Sequence, residues 1–403
     1  MTSPTRRGLL GGIAAAGMSS LVPAPILAGS AQGETPARGA VSFPAIDVTR
    51  IAKRVVGSTQ PAAGEKAILV YDPGYYPDLA QAFESELLNA EVFPILALAF
   101  EPPEIVEALD QRPGAEKRQD QFVALLQPVF READLFDWLP ARAFVGDARL
   151  EHLLDASRAR GIHFHWVFEP AMKSAEEIAA ASRVYERAIL ETDYAALSRR
   201  QDRLMAALRG RALRLTTPDG TDLKLRIPDD AWFHKNDGDM SPARARQARG
   251  VRDREMEFPA GVLRCIPDAS SVAGRLVLRR VPTAKGIAEG VTLDFEEGRV
   301  RKFSAARNET AFRTMWDAIG GDIDRVGEIV IGTNPLLVQK LPSGDLPYFG
   351  YGEGYVRVSL GDNWESGGAL RCPLNTNVWL FPENAALQAD GASVIQNGKI
   401  VVA

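Results

Sequence analysis

The apolar pattern of this 403-residue chain changes period near residue 210, and any fold must accommodate both halves. Before that point, short apolar runs alternate with amphipathic segments. Residues 67–71 form a strand run closed by Asp72-Pro73-Gly74. Leu79, Phe83, Leu87 and Leu88 carry helical spacing up to Ala90, and residues 92–100 form the next strand run. Two further units are expected: a helix over 117–132 before a strand at 142–146, and a helix over 150–160 before a strand at 162–168. Strands alternating with helices build a parallel sheet covered on both faces. Ser174 and Glu177 have capping-box spacing for a helix over 175–190. A second amphipathic helix, from Asp193 to Arg209 with Leu197, Leu204 and Leu208 on one side, leads into the second half.

There the period falls to two. Residues 212–217 and 222–227 alternate apolar and polar around Asp219-Gly220, the pattern of a hairpin. Short strands follow at 274–278, 291–296, 299–304, 326–331 and 356–360, interrupted by one helix over 309–319. The expected fold class is α/β: an N-terminal parallel α/β domain over 46–210, bridging helix included, then a β-rich C-terminal domain over 211–403.

Residues 1–31 read as a twin-arginine export signal: Arg6-Arg7, a weakly apolar Ala/Gly run to Leu27, then Gly29-Ser30-Ala31. The competing reading is an uncleaved membrane helix, but Gly, Ala and Ser with Pro23 and Pro25 make a poor span. Residues 32–45, rich in Gly, Pro, Ala and Ser, are expected to form a disordered leader, and the expected location is periplasmic. Loss of the leader, with two arginines and no acids, takes the net charge from −5 to −7. That charge argues against nucleic acid and anionic membranes as partners. No later stretch is apolar for 18 residues. Cys265 and Cys372 are the only cysteines; they form either one disulfide or two separate buried thiols.

All four histidines, His152, His163, His165 and His234, precede residue 235. His163 and His165, two apart in a strand, share a face but have no third ligand in spacing. A structural role is the preferred reading for that pair. The arginine-rich segment Arg244, Arg246, Arg249, Arg252, Arg254 reads as a solvated loop, or alternatively as cations for an acidic ligand.

From Asp193 to Phe381 the chain resembles the aminopeptidase T-type metallopeptidases, a family that also includes 2,5-dihydroxypyridine dioxygenase. The resemblance rests on the long helix followed by Leu213-Arg214-Leu215 and Pro218-Asp219-Gly220-Thr221-Asp222. It continues through Phe258-Pro259-Ala260-Gly261, Glu289-Gly290-Val291-Thr292-Leu293-Asp294-Phe295 and Gly327-Glu328 to Gly332-Thr333-Asn334-Pro335. It implies an α/β domain followed by a β-rich domain that holds a metal, and a homodimer. A catalytic divalent ion needs about three protein ligands and an open position. At the family's ligand positions this chain has Val262, Glu328, Arg357, Trp379 and Phe381, which leaves one carboxylate. The resemblance therefore implies a degenerate metal site, with no metal and no cofactor, rebuilt around a fixed cation and aromatic rings.

On that reading Arg357 holds a small carboxylated or aromatic molecule, with Tyr355, Trp379, Phe381 and His234 as binding residues. Glu328 is either the remnant general base or the counter-ion of Arg357. Glu353 is the other candidate for proton transfer, against an exposed loop glutamate. Three functions stay open: a metal-independent enzyme acting on a small anionic or aromatic molecule, a non-catalytic binding protein, and a metalloenzyme whose ligands sit elsewhere.

Overall fold

Lys66–Tyr71 form strand β1, whose Ala67, Ile68, Leu69 and Val70 are all buried, as a strand covered on both faces requires. A computed structural model describes residues 45–73, 76–99, 115–140, 153–166, 174–342, 344, 346–373 and 376–402. The expected export signal, the leader expected after it up to residue 44, the strand expected at 142–146 and His152 lie outside the described residues. Parallel to β1 run β2 (Phe93–Ala99), β3 (Leu135–Trp138), β4 (Arg160–Phe164) and β8 (Glu255–Phe258), in the order β2-β1-β3-β4-β8. Helices α1 (Val48–Ser58), α2 (Pro77–Asn89) and α4 (Ala175–Glu191) pack on one face through Val55, Phe83 and Tyr185. Helix α3 (Ala115–Glu132) covers the other face with Leu126 and Phe130. Ser174 and Glu177 make the reciprocal capping box that starts α4.

Strand β8 comes from beyond residue 210 and still completes the first sheet. Its Glu-Met-Glu-Phe alternation reads in isolation as a half-solvated strand, yet all four residues are buried. Strand β3 also departs from the sequence pattern, because four residues directly after a helix look like more helix. The helix expected to run to residue 160 stops earlier, since Arg160 opens β4. The Arg254 guanidinium donates to the carbonyls of Leu154, Ser157 and Ala159, which satisfies the chain's orphan acceptors there.

Helix α5 (Tyr194–Leu208) leads into two antiparallel sheets. The larger has eight strands: β5 (Ala212–Thr216), β6 (Asp222–Arg226), β10 (Asp268–Thr283), β11 (Gly286–Glu296), β12 (Arg299–Ser304), β16 (Ala386–Ala389), β17 (Ala392–Gln396) and β18 (Lys399–Ile400). The smaller joins β7 (Phe233–Asn236), β9 (Val262–Cys265), β13 (Val326–Gly332), β14 (Val356–Gly361) and β15 (Asn377–Leu380), in the order β15-β14-β13-β9-β7. The expected hairpin is β5–β6: Leu213, Leu215, Leu223 and Leu225 point inward, while Arg214 and Asp222 form an exposed two-point ion pair at 2.8 Å. Helix α6 (Glu309–Ile319) closes the core between the sheets with Phe312 and Met315. Each fully buried aliphatic side chain there contributes about 1.5–3 kcal/mol. Among the described residues no helix is long and apolar enough to cross a membrane.

One buried acid in the first sheet makes a prediction. Asp137 of β3 lies between Leu69 and Ile162, and neither carboxylate oxygen has a hydrogen-bond partner among the described residues. Burial pushes its pKa up to about 7, only partly offset by the charge of Arg160. The folded state thus holds a proton that the unfolded chain releases near its ordinary value of 3.8. Stability from this group is therefore intact at pH 4, falls as pH rises towards 7, and stays low above that. Asp137→Asn is expected to stabilise the protein at pH 8 by a few kcal/mol, because each tenfold change in proton affinity is worth ~1.4 kcal/mol. At pH 4.5, where the unfolded carboxyl is only part-way along its titration, the gain should shrink to about 1 kcal/mol. Denaturant titrations at both pH values check this; the same gain at each would rule out an ionisation effect.

Candidate functional site

The smaller antiparallel sheet has two chemically distinct faces, because successive side chains in a strand alternate. Leu263, Cys265, Ile329, Ile331, Val358 and Leu380 enter the core shared with the larger sheet. The alternate set includes Arg264, Glu328, Arg357 and Trp379 and faces β8 and Tyr351. Register places His234, Arg264, Val330 and Arg357 directly opposite one another across four strands. The polar residues are thus trapped where this sheet meets the edge of the parallel one.

A charge network fills that junction. Arg264 Nη2 donates to Glu257 Oε2 at 2.7 Å and to the Tyr351 hydroxyl at 2.5 Å, and its Nη1 is 3.5 Å from Glu328 Oε2. The Tyr351 hydroxyl in turn donates to Glu257. Arg252 donates to Glu257 Oε1 at 3.1 Å, lies 3.5 Å from Glu255 and bonds Glu365. Ser366 Oγ donates to Glu328. A cavity of about 20 Å³ sits between Glu328, Ser366, Glu365 and Trp379, room for roughly one water.

Arg357 stands apart from these pairs. It is 1 % exposed, its guanidinium carbon lies 3.9 Å over the Trp379 ring, and Nη2 is 3.9 Å from Glu328 Oε2. None of its three nitrogens has a hydrogen-bond partner among the described residues. A guanidinium carries five N–H donors. Burying them unpaired is costly.

The electrostatics follow from this packing. Burial raises the Glu328 carboxyl, but Arg264, then Arg357 and the Ser366 hydroxyl, outweigh it and hold the acid below its usual range. Glu257 behaves likewise: burial is overcome by Arg264 and Arg252, and it stays well below the usual carboxylate range. Burial pushes Arg357 down to about 10, with Arg264 adding to the effect. Burial also lowers His163, His165 and His234; His165 falls to about 4. All three histidines are neutral at pH 7.

Arg357, Trp379 and Glu328 come together as the sequence suggested, and the other candidates are placed differently. Phe381 lies just past β15 against Gly350, and the ring that packs on Trp379 is Phe349, edge to face at 5.1 Å. Glu353 forms an ion pair with Arg200 at 2.8 Å instead of joining the network. The Tyr355 hydroxyl donates to the Val338 carbonyl at 2.8 Å, and that of Tyr348 to Phe258 at 2.6 Å, both packing roles. His234 is buried, stacked on Trp232 and 3.7 Å from Asp253, in register with Arg264. Cys265 and Cys372 are both free and buried; burial raises both thiols, Cys372 to about 11.

Three features differ from the sequence reading. The arginine-rich segment is not a solvated loop at Arg252, which is 4 % exposed and central to the network. The His163/His165 pair does have a third neighbour: donor atoms of His163, His165 and Glu257 all lie within 4.8 Å of one another. Of the groups that build the junction, Arg264, Glu257, Glu365, Ser366 and Tyr351 are not singled out by sequence reasoning, and Arg252 is named only within the arginine-rich segment. Charged residues alternating within apolar strands, as in Val262-Leu263-Arg264-Cys265, are the signal that could have found them.

No family model matches the chain, and no curated protein matches it in sequence. Solved structures share its fold, among them the following two. Wild-type AmpT (aminopeptidase T) from Thermus thermophilus is 17 % identical with a TM-score of 0.64, over 88 % of this chain and 99 % of that one. The 2,5-dihydroxypyridine dioxygenase from Pseudomonas putida is 17 % identical with a TM-score of 0.59, over 88 % of this chain and 97 % of that one. The chain therefore has an aminopeptidase T-like α/β fold, as the resemblance implied.

Proposed function

We propose that this chain, which shares the fold of aminopeptidase T, is a relative of those proteins that uses their pocket without their metal and binds a small carboxylate-bearing molecule there. One observation carries the reading: Arg357 is buried against Trp379 with no hydrogen-bond acceptor among the described residues. A carboxylate fits a guanidinium by two parallel hydrogen bonds; the neighbouring cavity of about 20 Å³ holds roughly one water, so the site must open to admit a ligand. The residues at the family's ligand positions do not fit a divalent ion. Glu328 is the one carboxylate among them, and Val262, Arg357, Trp379 and Phe381 offer no metal-donor atom, short of the three ligands a catalytic ion needs.

Glu328 is the counter-ion in this reading. A carboxylate held ionised by Arg264 and Arg357 is a weak base. A metal-independent enzyme is the second reading, and the Ser366–Glu328 hydrogen bond at the cavity wall favours it. The proposal extends to a periplasmic protein delivered by its twin-arginine leader, and to a homodimer.

Calorimetric titration with a panel of aromatic and aliphatic carboxylates, each beside its neutral amide, tests the pocket. Carboxylates are expected to bind and their amides to bind at least tenfold more weakly. Equal affinities, or no binding by any member, would reject the anion site. With a bound carboxylate in hand, Glu328→Gln separates the two readings: turnover lost with binding kept marks an enzyme.

A further inference from the structure

The junction holds a second constellation, on the parallel-sheet side. Strands β4 and β8 pair in parallel with His163 opposite Glu257, so their side chains emerge on the same face. His165, two residues on, continues the ladder through its backbone N–H to the Phe258 carbonyl at 3.0 Å. Two imidazoles and one carboxylate thereby converge, with donor atoms within 4.8 Å of one another.

Two further observations point to a ligand. His163 is 3 % exposed, and neither ring nitrogen has a hydrogen-bond partner among the described residues. A buried imidazole with both nitrogens unsatisfied is costly in a purely structural role. Its ring is nonetheless fixed, stacked on Trp138 at 4.4 Å and 13° and against His165 at 3.9 Å. A second carboxylate oxygen, Glu255 Oε2, is 4.0 Å from His163 Nδ1. At 4.0 Å it makes no hydrogen bond, and it would have to move closer by about an ångström to serve as the outer carboxylate that orients a metal-bound histidine.

The geometry points to a binding site for one divalent transition-metal ion at His163, His165 and Glu257, with zinc the best chemical fit and one coordination position left open. Two histidines and a carboxylate form a recognised three-ligand set for zinc or ferrous iron. Bonds of about 2.0–2.1 Å in a tetrahedral site put donors roughly 3.4 Å apart, so the three must close by up to about 1.4 Å. Arg252 and Arg264 oppose a cation and both also hold Glu257 itself, at 3.1 and 2.7 Å; their charge is shared with Glu365 and Glu328 respectively. An ionised carboxylate has about four acceptor positions. Three are in use on Glu257, by Arg252, Arg264 and Tyr351, and the position left on Oε1 is the one assigned to the ion. This site is separate from the Arg357 pocket, and each can fail without the other.

The test uses the full chain, stripped with a chelator and titrated with zinc by calorimetry, then with cobalt(II) as a visible reporter. One equivalent per chain is expected, with a raised melting temperature. His163→Phe, which keeps a ring to stack on Trp138, and His165→Phe should each weaken binding at least a hundredfold while melting cooperatively. X-ray absorption on the zinc-loaded wild type needs no variant and is expected to count two imidazole ligands. Absence of stoichiometric binding, undiminished binding in the folded variants, or fewer than two imidazoles would each overturn the assignment.

Discussion

Arg357→Met is expected to make the ligand-free protein more stable while abolishing carboxylate binding. A buried guanidinium that makes no hydrogen bond has lost its hydration and recovered little. The Glu328 carboxylate is 3.9 Å away, and burial already pulls the pKa of Arg357 down to about 10. Methionine fills a similar volume against Trp379, and Glu328 keeps Arg264 and Ser366 as partners. Replacing buried ionic groups by well-packed apolar ones gains about 1–4 kcal/mol. Loss of the contact with the indole face returns about 0.5–2 kcal/mol of that. The gain is read from the denaturant midpoint, and the binding loss from the same carboxylate titrations as for the wild type. A clear loss of stability would mean that the guanidinium holds the fold together, and that its unpaired donors serve no ligand.

Arg264→Met should do the opposite. This arginine sits in the same cross-strand row, and it bridges Glu257 at 2.7 Å, Glu328 at 3.5 Å and the Tyr351 hydroxyl at 2.5 Å. Removing it leaves two buried carboxylates short of their principal counter-charge, and breaking such a pair costs about 3–5 kcal/mol. That is a large share of a typical stability of about 5–15 kcal/mol. Glu257 retains Arg252 and Tyr351, so the fold should survive at low temperature with a much lower melting point. A change within about 0.5 kcal/mol, the range of ordinary surface substitutions, would refute the central role given to Arg264. Opposite signs at Arg264 and Arg357 would sort one arginine to structure and its neighbour to ligand.

The two halves of the fold were legible because their periods differ. Helical spacing at Leu79, Phe83 and Leu87 and strict alternation at Leu213, Leu215, Leu223 and Leu225 each record which side of a local element meets the core. The Ser174–Glu177 cap was legible for the same reason, since its partners are three residues apart. The site was legible in part. The resemblance drew attention to Glu328, Arg357 and Trp379, and these do meet. Glu353, Phe381 and Tyr355 lie in the same blocks of sequence but take other partners, because loop residues follow the local turn and not the strand register.

The sequence by itself determined the order of elements, the change from helical to alternating period, and which strand residues face a core. Only the tertiary structure decided that β8 would cross back to the parallel sheet. That one pairing sets Glu257 beside His163 and delivers Arg252 from an outwardly polar segment into the interior. Alternation records which side of a strand is buried, whereas the identity of the neighbouring strand depends on contacts between residues far apart in the chain. A buried charge is tolerated only when such distant partners arrive, so the chemistry of this junction could not be read until they were in place.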